Sequence, residues 1–544
     1  MAEQRPDDAY YSHWADHAAK RTVIGCGDKD SIVVAAGITP SGVIHIGNFR
    51  EVITVDLIAR ALRDQGKTVR FLYSWDDFDV FRKVPKDMPN PEELSKWLRH
   101  SIVDVPDPYG KTDSYASHNI ERFQASLSRI GIQPDFIRQS QQYRRGTYAQ
   151  GVHKALEHSD QIRRILNRHR SEPLADDWLP LAGFCEACGR DKLSFSWAGE
   201  WEVQYQCRSC QHEASVDLRS GGNLKLPWRV DWPMRWEYEK VCFEPGGKDH
   251  SSAGGSYDTG KEIVAEVYGW SAPQYVAYDF VRIKGRGGKI SSSSGGAIAL
   301  DDALEIYEPE LIRWIFANYR PNTEFQISFD LDVIKIYEEY DRAWRSAHES
   351  DSGSKSRSLR RTLQLASLDH SAIIPGTPAP FRAPFRLLSM VLQIFDGDIP
   401  KTLRHFEALG EIRSDAERQQ FLQRAQCVWN WIDKYAPEEF CYRIRKEAVV
   451  RSLSASQSLV LERLVAALEG LLGQDSPKLP DLRSLCEDTE LDLQSFSPVV
   501  YDLLIGREKG PKMSTLLPTI GFERAIPLLK PSLLSSTLSP SSES

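Results

Sequence analysis

Apolar and polar positions follow two regimes along the chain. Tyr10, Trp14 and Ala18 stand at helical spacing and predict an amphipathic helix over residues 8–21. Residues 31–37 (SIVVAAG) form a short β-branched run ending on glycine, the pattern of a strand buried on both faces. Residues 46–66 carry helix-spaced apolar positions and a glycine stop, and 68–75 (TVRFLYSW) predict another strand. Strand, glycine-containing loop, helix and strand make a βαβ unit, which builds a parallel sheet and binds ligands beyond the carboxyl ends of its strands. Between 173 and 226 the pattern breaks into short turn-rich pieces, then strand and helix signals resume at 274–283 and 298–319. A helix is predicted over 330–347, followed by a polar linker or mobile loop, HESDSGSKSRS, at 348–358. Beyond it helical periodicity dominates, as in 384–409, 415–435 and 456–472, and predicts an all-α domain. The closing STLSPSSES is too small and polar to pack.

Composition sharpens this division. At 544 residues, 41% hydrophobic and 26% charged, the chain is neither disordered nor a coiled-coil rod. The expected organisation is 1–172 and 226–347 for two halves of an α/β domain, 173–225 for an insertion, 359–535 for a helical domain and 536–544 for a tail. Lys and Arg total 68 against 76 Asp and Glu, so a polyanion must be met by a local basic patch. No apolar run reaches the ~18 residues of a membrane helix and no leader pattern opens the chain, so a cytoplasmic location is expected. Four of nine cysteines fall in two Cys-x-x-Cys pairs, which suggests a metal in a reducing compartment.

Three constellations carry candidate chemistry. In GITPSGVIHIGN (37–48), Gly37, Gly42 and Gly47 let backbone approach a ligand, while His45 and Asn48 add donors at the start of the next helix. That is a phosphate cradle; the alternative is a tight turn whose histidine is core or surface. In FVRIKGRGGKISSSSGG (280–296), Lys289 and Ser291 to Ser294 suit a loop closing over a triphosphate, although a plain flexible linker has the same composition. Cys185 and Cys188 precede Cys207 and Cys210 by about 18 residues, and two such knuckles supply four thiolates for a closed, structural zinc site.

The two loops, in this order on one α/β region, resemble the HIGH and KMSKS signatures of class I aminoacyl-tRNA synthetases. The first is carried by PSGVIHIGN (40–48), with Asn48 where the pattern ends in histidine. The second is KISSS (289–293), with Ile290 for methionine and Ser292 for the second lysine; Lys284 and Arg286 are nearby replacements for that lost charge. Lys512-Met513-Ser514 spells KMS literally, but it lies in the helical region without the rest of the loop. Within the class, the chain is most similar to the class I lysyl-tRNA synthetases, through HWAD (13–16), WDDFDVFRKVP (75–85), KLPWRVDWPMRW (225–236), GKDHSSAGGSYDTG (247–260) and REKGPKM (507–513).

The resemblance implies an α/β Rossmann-like catalytic domain with a zinc-binding insertion, followed by an all-α C-terminal anticodon-binding domain. It implies ATP-dependent activation of L-lysine and its transfer to tRNA(Lys), with Mg2+ accompanying ATP. His45, Asn48, Lys289, Ser291 and Ser292 would serve the phosphates, within an ATP site also drawing on Pro40, Ser41, Gly42, Gly47, Ile290 and Ser293. A lysine ammonium leaving water needs an anion or aromatic face. By resemblance Gly37, Thr39, Trp228 and His250 are pocket candidates, Asp76 would hold the α-amino group, and Asp231 and Trp232 offer charge and cation–π contact. Against this, Asp231 has Arg229 and Arg235 as internal partners, and those arginines also keep a glutamyl-type enzyme open. A catalytically silent tRNA- or amino-acid-binding paralogue is the remaining alternative. For tRNA, basic stretches at 442–451 and 506–513 stand out, with Tyr442 and Arg443 as candidate contacts, although a solvated helix face explains them equally well.

Overall fold

The protein is described by a computed structural model covering residues 12–86, 88–284, 298–474 and 478–536. The chain divides into two compact units, Met1–Ser328 with Arg342–Ala379, and Phe329–Asp341 with Pro380–Ser544.

The first unit is built on four parallel strands: β1 (Ser31–Ile38), β2 (Thr68–Trp75), β3 (Asp135–Arg138) and the strand Val241–Phe243, in spatial order β3, β2, β1, Val241–Phe243. β1 and β2 pair in register from Ser31 with Thr68 to Ile38 with Trp75. The chain leaves β1 towards β2 and β3, then returns to β1's other edge. That reversal opens a crevice at the carboxyl end of β1, where open α/β sheets bind ligands.

Helix α2 (Phe49–Asp64) crosses from β1 to β2 and is buried almost all round. Its inward charges are therefore paired: Asp56 with Arg60 at 3.0 Å and with Arg313 at 2.6 Å, while Arg50 donates to the carbonyls of Pro321 at 2.9 Å and Thr323 at 3.2 Å. Helix α1 (Trp14–Gly25) starts at its cap, His13, and runs four residues beyond the predicted end at 21. The turn-rich region closes on an antiparallel pair, Ala182–Gly183 with Leu224–Lys225, and carries a three-stranded antiparallel sheet of Leu193–Trp197, Glu202–Cys207 and Glu213–Asp217.

The polar stretch at 348–358 is not a linker throughout. Helix Ser354–Ala366 begins inside it and packs within the first unit, where Arg361 is buried against Asp16 and Asp64, each at 2.6 Å. Composition registers only solvating side chains there and misses a cation that needs buried carboxylates. The division accordingly falls at 329–341 and 380, away from the expected 347 and 359.

The second unit is helical, as the periodicity predicts. The helix predicted over 384–409 is two, Phe385–Ile394 and Ile399–Ala408, because Asp396 (φ 54°) and Gly397 (φ 81°) turn the chain. A Cβ on Gly397 would lie 2.4 Å from the Trp429 ring. Asp398 then caps the second helix, accepting from Lys401 N–H at 2.8 Å. Among the described residues no helix is long and apolar enough to cross a membrane.

Candidate active site and metal centre

The turn between β1 and α2 is clamped from several sides. Ile46 N–H donates to Ile298 O at 2.9 Å, and His45 bridges Ala299. A Cβ on Gly47 would lie 2.9 Å from His45 Nδ1 and 3.7 Å from Val281 O, so only glycine admits the ring. Strand Val281–Ile283 pairs with Phe325–Ile327. After the serine-rich segment, Ile298 and Ala299 therefore bond to the His45 turn, and before it Val281 O lies where a Cβ on Gly47 would meet it. Lys289, Ile290, Ser291, Ser292 and Ser293 themselves lie outside the described residues. Asn48 sits at the cap of α2, accepting from His45 N–H through Oδ1 at 3.1 Å, which leaves its NH2 as the donor on the other side. Tyr115 donates to Ser41 O at 2.9 Å and fixes the loop through Pro40, Ser41 and Gly42.

Beside this turn lies a dense polar network. Gly37 N–H donates to Glu51 Oε1 at 2.9 Å, and a Cβ there would meet Ser74 O at 2.9 Å. Arg235 Nη1 donates to Ser74 Oγ at 2.6 Å and to Asp76 Oδ1 at 2.9 Å, while its Nε pairs with Asp231 at 3.0 Å. Arg235 is thus the internal partner foreseen for Asp231, which also accepts from Tyr143 Oη. Thr39 Oγ1 donates to Asp79 at 2.8 Å, and Lys225 Nζ donates to Asp79 at 2.8 Å and to Phe78 O at 3.0 Å.

Aromatic rings form the outer wall. Trp228 and Trp232 stack with centroids 5.0 Å apart, His250 is 6.2 Å from each, and Arg235 lies 5.6 Å over Trp228. Trp228 is 37% exposed, whereas Trp232 is buried, so the wall faces outwards at Trp228. Gly37, Thr39, Asp76, Trp228, Asp231 and His250 thus belong to one neighbourhood.

Burial pushes the Glu51 carboxyl up to about 7, against hydrogen bonds from Tyr278 and Gly37 N–H. Burial also raises Asp76, opposed by Arg235, and raises Glu244. At Asp79 burial acts upwards too, but Lys225 and Thr39 outweigh it and hold the carboxyl low. Five acidic groups (Glu51, Asp76, Asp79, Asp231, Glu244) thus crowd this network, whose cations Lys225 and Arg235 are both already ion-paired. Glu51, Asp79 and Lys225 were not singled out from the sequence. Asp79 and Lys225 sit inside the tryptophan-rich strings, whereas nothing local marks Glu51.

In the ribbon, the sulfurs of Cys185, Cys188, Cys207 and Cys210 all lie within 4.8 Å of one another, with Cys185–Cys210 and Cys188–Cys207 at 3.7 Å. Both turns are knuckles: Gly189 N–H donates to Cys185 O at 2.8 Å and Gln211 N–H to Cys207 O at 2.9 Å, with positive φ at Gly189 (70°) and Gln211 (65°). In the second unit, Tyr442, Arg443, Arg445, Gly506 and Arg507 line one cleft of about 600 Å3 with Trp429. Tyr442 is anchored through its N–H to Gln393 at 2.7 Å, while Arg443 is exposed. Lys512 caps helix Met513–Ile520 in that unit.

The family described as tRNA synthetases class I (K) matches residues 12–369. A lysine–tRNA ligase of Borrelia garinii subsp. bavariensis is 43% identical, over 94% of this chain and 98% of the relative. Those of Treponema pallidum and Thermococcus kodakarensis are 41% and 38% identical, covering 94% and 95% of this chain and 97% and 99% of the relatives. A glycine-shaped turn at the carboxyl end of β1, bonded to the residues that follow the serine-rich segment, and similarity running through both units lead to one conclusion: the chain belongs to the class I tRNA synthetases of the K family.

Proposed function

We propose that this protein is a lysine–tRNA ligase, joining L-lysine to tRNA through an enzyme-bound lysyl-adenylate. The observation that carries the choice of lysine is the charge of the pocket. Five acidic groups crowd two cations that are already paired, and burial raises three of them; an incoming ammonium supplies the counter-charge they lack, whereas the side chain of glutamate would add to the repulsion. Trp228 and His250 supply aromatic faces for the substrate's methylenes and charge, and Asp76, at the end of β2, is the partner for its α-amino group.

The carboxylate of lysine attacks the α-phosphorus of ATP, pyrophosphate leaves, and the acyl group passes to the terminal adenosine of tRNA. No covalent enzyme intermediate is required, so the protein works by positioning and by donors aimed at developing charge. His45 and Asn48 donate from the start of α2, within the turn of Pro40, Ser41, Gly42 and Gly47. Lys289, Ser291 and Ser292 are the phosphate donors we assign to the serine-rich segment, and Ile290 and Ser293 complete the ATP-binding set. Mg2+ bound with ATP neutralises phosphate charge.

The four-cysteine cluster fits structural Zn2+. A tetrahedron with ~2.3 Å Zn–S bonds has edges of about 3.8 Å, close to the two 3.7 Å sulfur separations. In the second unit, Arg443, Arg445 and Arg507 around Trp429 suit an unstacked tRNA base and its phosphates. A reaction consuming tRNA, ATP and free lysine belongs in the cytoplasm. ATP–pyrophosphate exchange measured with each amino acid, followed by charging of tRNA with labelled lysine, tests the reading. Lysine-dependent exchange and charging are expected; glutamate-dependent exchange, or none with any amino acid, would overturn it.

A further inference from the structure

Away from the site just described, the end of α1 and the edge strand Val241–Phe243 enclose a cavity of about 280 Å3 lined by Cys26, Lys29, Cys242 and Trp270. A water-sized molecule needs only about 30 Å3, so small oxidants have room. Both thiols line this one cavity, although they come from segments more than 200 residues apart. Cys26 also contacts Thr22 O at 2.9 Å, which orients its sulfur at the helix end. Lys29 and Lys240 lie 4.3 and 4.9 Å from the Trp270 ring, giving the cavity a cationic rim. That environment splits the pair: the neighbouring Cys26 thiol, then the N–H of Val33 and the charge of Lys29, lower Cys242 to about 7, while Cys242 and burial raise Cys26. Thiolate character beside a cation, with a second thiol in reach, is what an oxidisable cysteine needs.

We propose that Cys26 and Cys242 form a peroxide-reactive modification site that closes reversibly into a disulfide. The Cys242 thiolate attacks one peroxide oxygen; the S–O bond forms, the O–O bond breaks, and the departing hydroxide takes a proton to leave as water. Cys26 sulfur then attacks the Cys242 sulfenic acid; the S–S bond forms, the S–O bond breaks, and the Cys26 proton leaves with the hydroxide as a second water. Two thiols lose two electrons and peroxide gains them. A small-molecule dithiol reverses the bond by exchange. The product ties α1 to the strand that leads into Glu244.

The test treats the full-length, zinc-loaded protein with graded hydrogen peroxide, blocks remaining thiols, and maps peptides without reduction. The expected result is a cross-linked peptide holding Cys26 and Cys242, lost after dithiothreitol. In Cys26→Ser the cross-link should vanish and dimedone should label Cys242 instead. Recovery of Cys26 and Cys242 as free alkylated thiols while zinc is released from the ribbon would overturn the proposal, as would a cross-link to any other cysteine. The wild-type map decides even if the variant fails to fold.

Discussion

Glu51 is held by Gly37 N–H at 2.9 Å and Tyr278 Oη at 2.6 Å, and its carboxyl is raised from 4.5 to about 7. Between those two values the folded chain keeps a proton that the unfolded chain has lost. Its contribution to stability is therefore complete below about pH 4.5 and is lost as pH rises through 7. Glu51→Gln keeps the shape and the acceptor for Gly37 and removes the charge. Measured by denaturant unfolding, this variant should gain on the order of 2–3 kcal/mol relative to wild type between pH 5 and pH 8; an unchanged difference would refute the assignment. Gly37→Ala should act differently, because its Cβ would press on Ser74 Cβ at 2.9 Å and displace the Oγ that donates to Asp76. We expect its KM for lysine to rise by at least tenfold, about 1.4 kcal/mol, with KM for ATP little changed, read by pyrophosphate exchange. Neither role was equally visible in the sequence. Gly37 ends a strand before a glycine-rich turn, and such a position announces close approach. Glu51 is an ordinary first-turn helix residue whose partners come from β1 and a strand more than 200 residues later.

At the scale of elements, the string HWAD marks the family in the sequence, and the structure supplies its physical content. His13 accepts from Ala15 N–H at 3.2 Å as the cap of α1, and His13 Nε2 and Trp14 Nε1 both donate to Ala317 O, at 2.9 and 3.0 Å. Asp16 completes the cap and binds Arg361. Four consecutive positions thus cap one helix and dock it on two others. Arg361→Ala would leave Asp16 buried without its cation and should cost about 3–5 kcal/mol in equilibrium unfolding. Periodicity located α2, β1 and β2 within three residues of their ends because burial there follows sequence-local pattern. It overran the 384–409 break, since a positive-φ turn at Asp396 and Gly397 is set by the Trp429 ring from another helix. The cysteine ribbon of residues 182–225 buries Val203 and Tyr205 in the core, while its two knuckles meet through their four thiols. Chelation of its metal, or Cys207→Ser, should strip hydrogen-exchange protection from residues 193–217 while β1 and β2 keep theirs, with metal content followed in parallel. Retained protection in the metal-free ribbon would show that the sheet stands on its own.

For the whole molecule, a net charge of −8 has to coexist with a polyanionic partner. The periodicity announced a helical second unit, and its basic stretches were legible, but their meeting in one cleft was not, because 442–445 and 506–507 are brought together only by the fold. Within that cleft the arginines differ in what they are free to do. Arg445 is tied to the Asp502 main chain at 2.9 Å and Arg507 to Glu438 O at 2.7 Å, whereas Arg443 reaches Asp396 only at 3.4 Å and is largely exposed. Arg443 is the one able to exchange a weak surface pair for a phosphate, since exposed pairs contribute little. On the proposed reading amino-acid activation runs in the first unit's turn and pocket, so the two steps should separate. Arg443→Ala should raise KM for tRNA several-fold and reduce the salt dependence of tRNA binding by about one unit of slope for a lost phosphate contact, while lysine-dependent pyrophosphate exchange stays at the wild-type rate. If exchange and charging fall together, the residue serves the fold of the second unit; if neither changes, tRNA does not use this cleft.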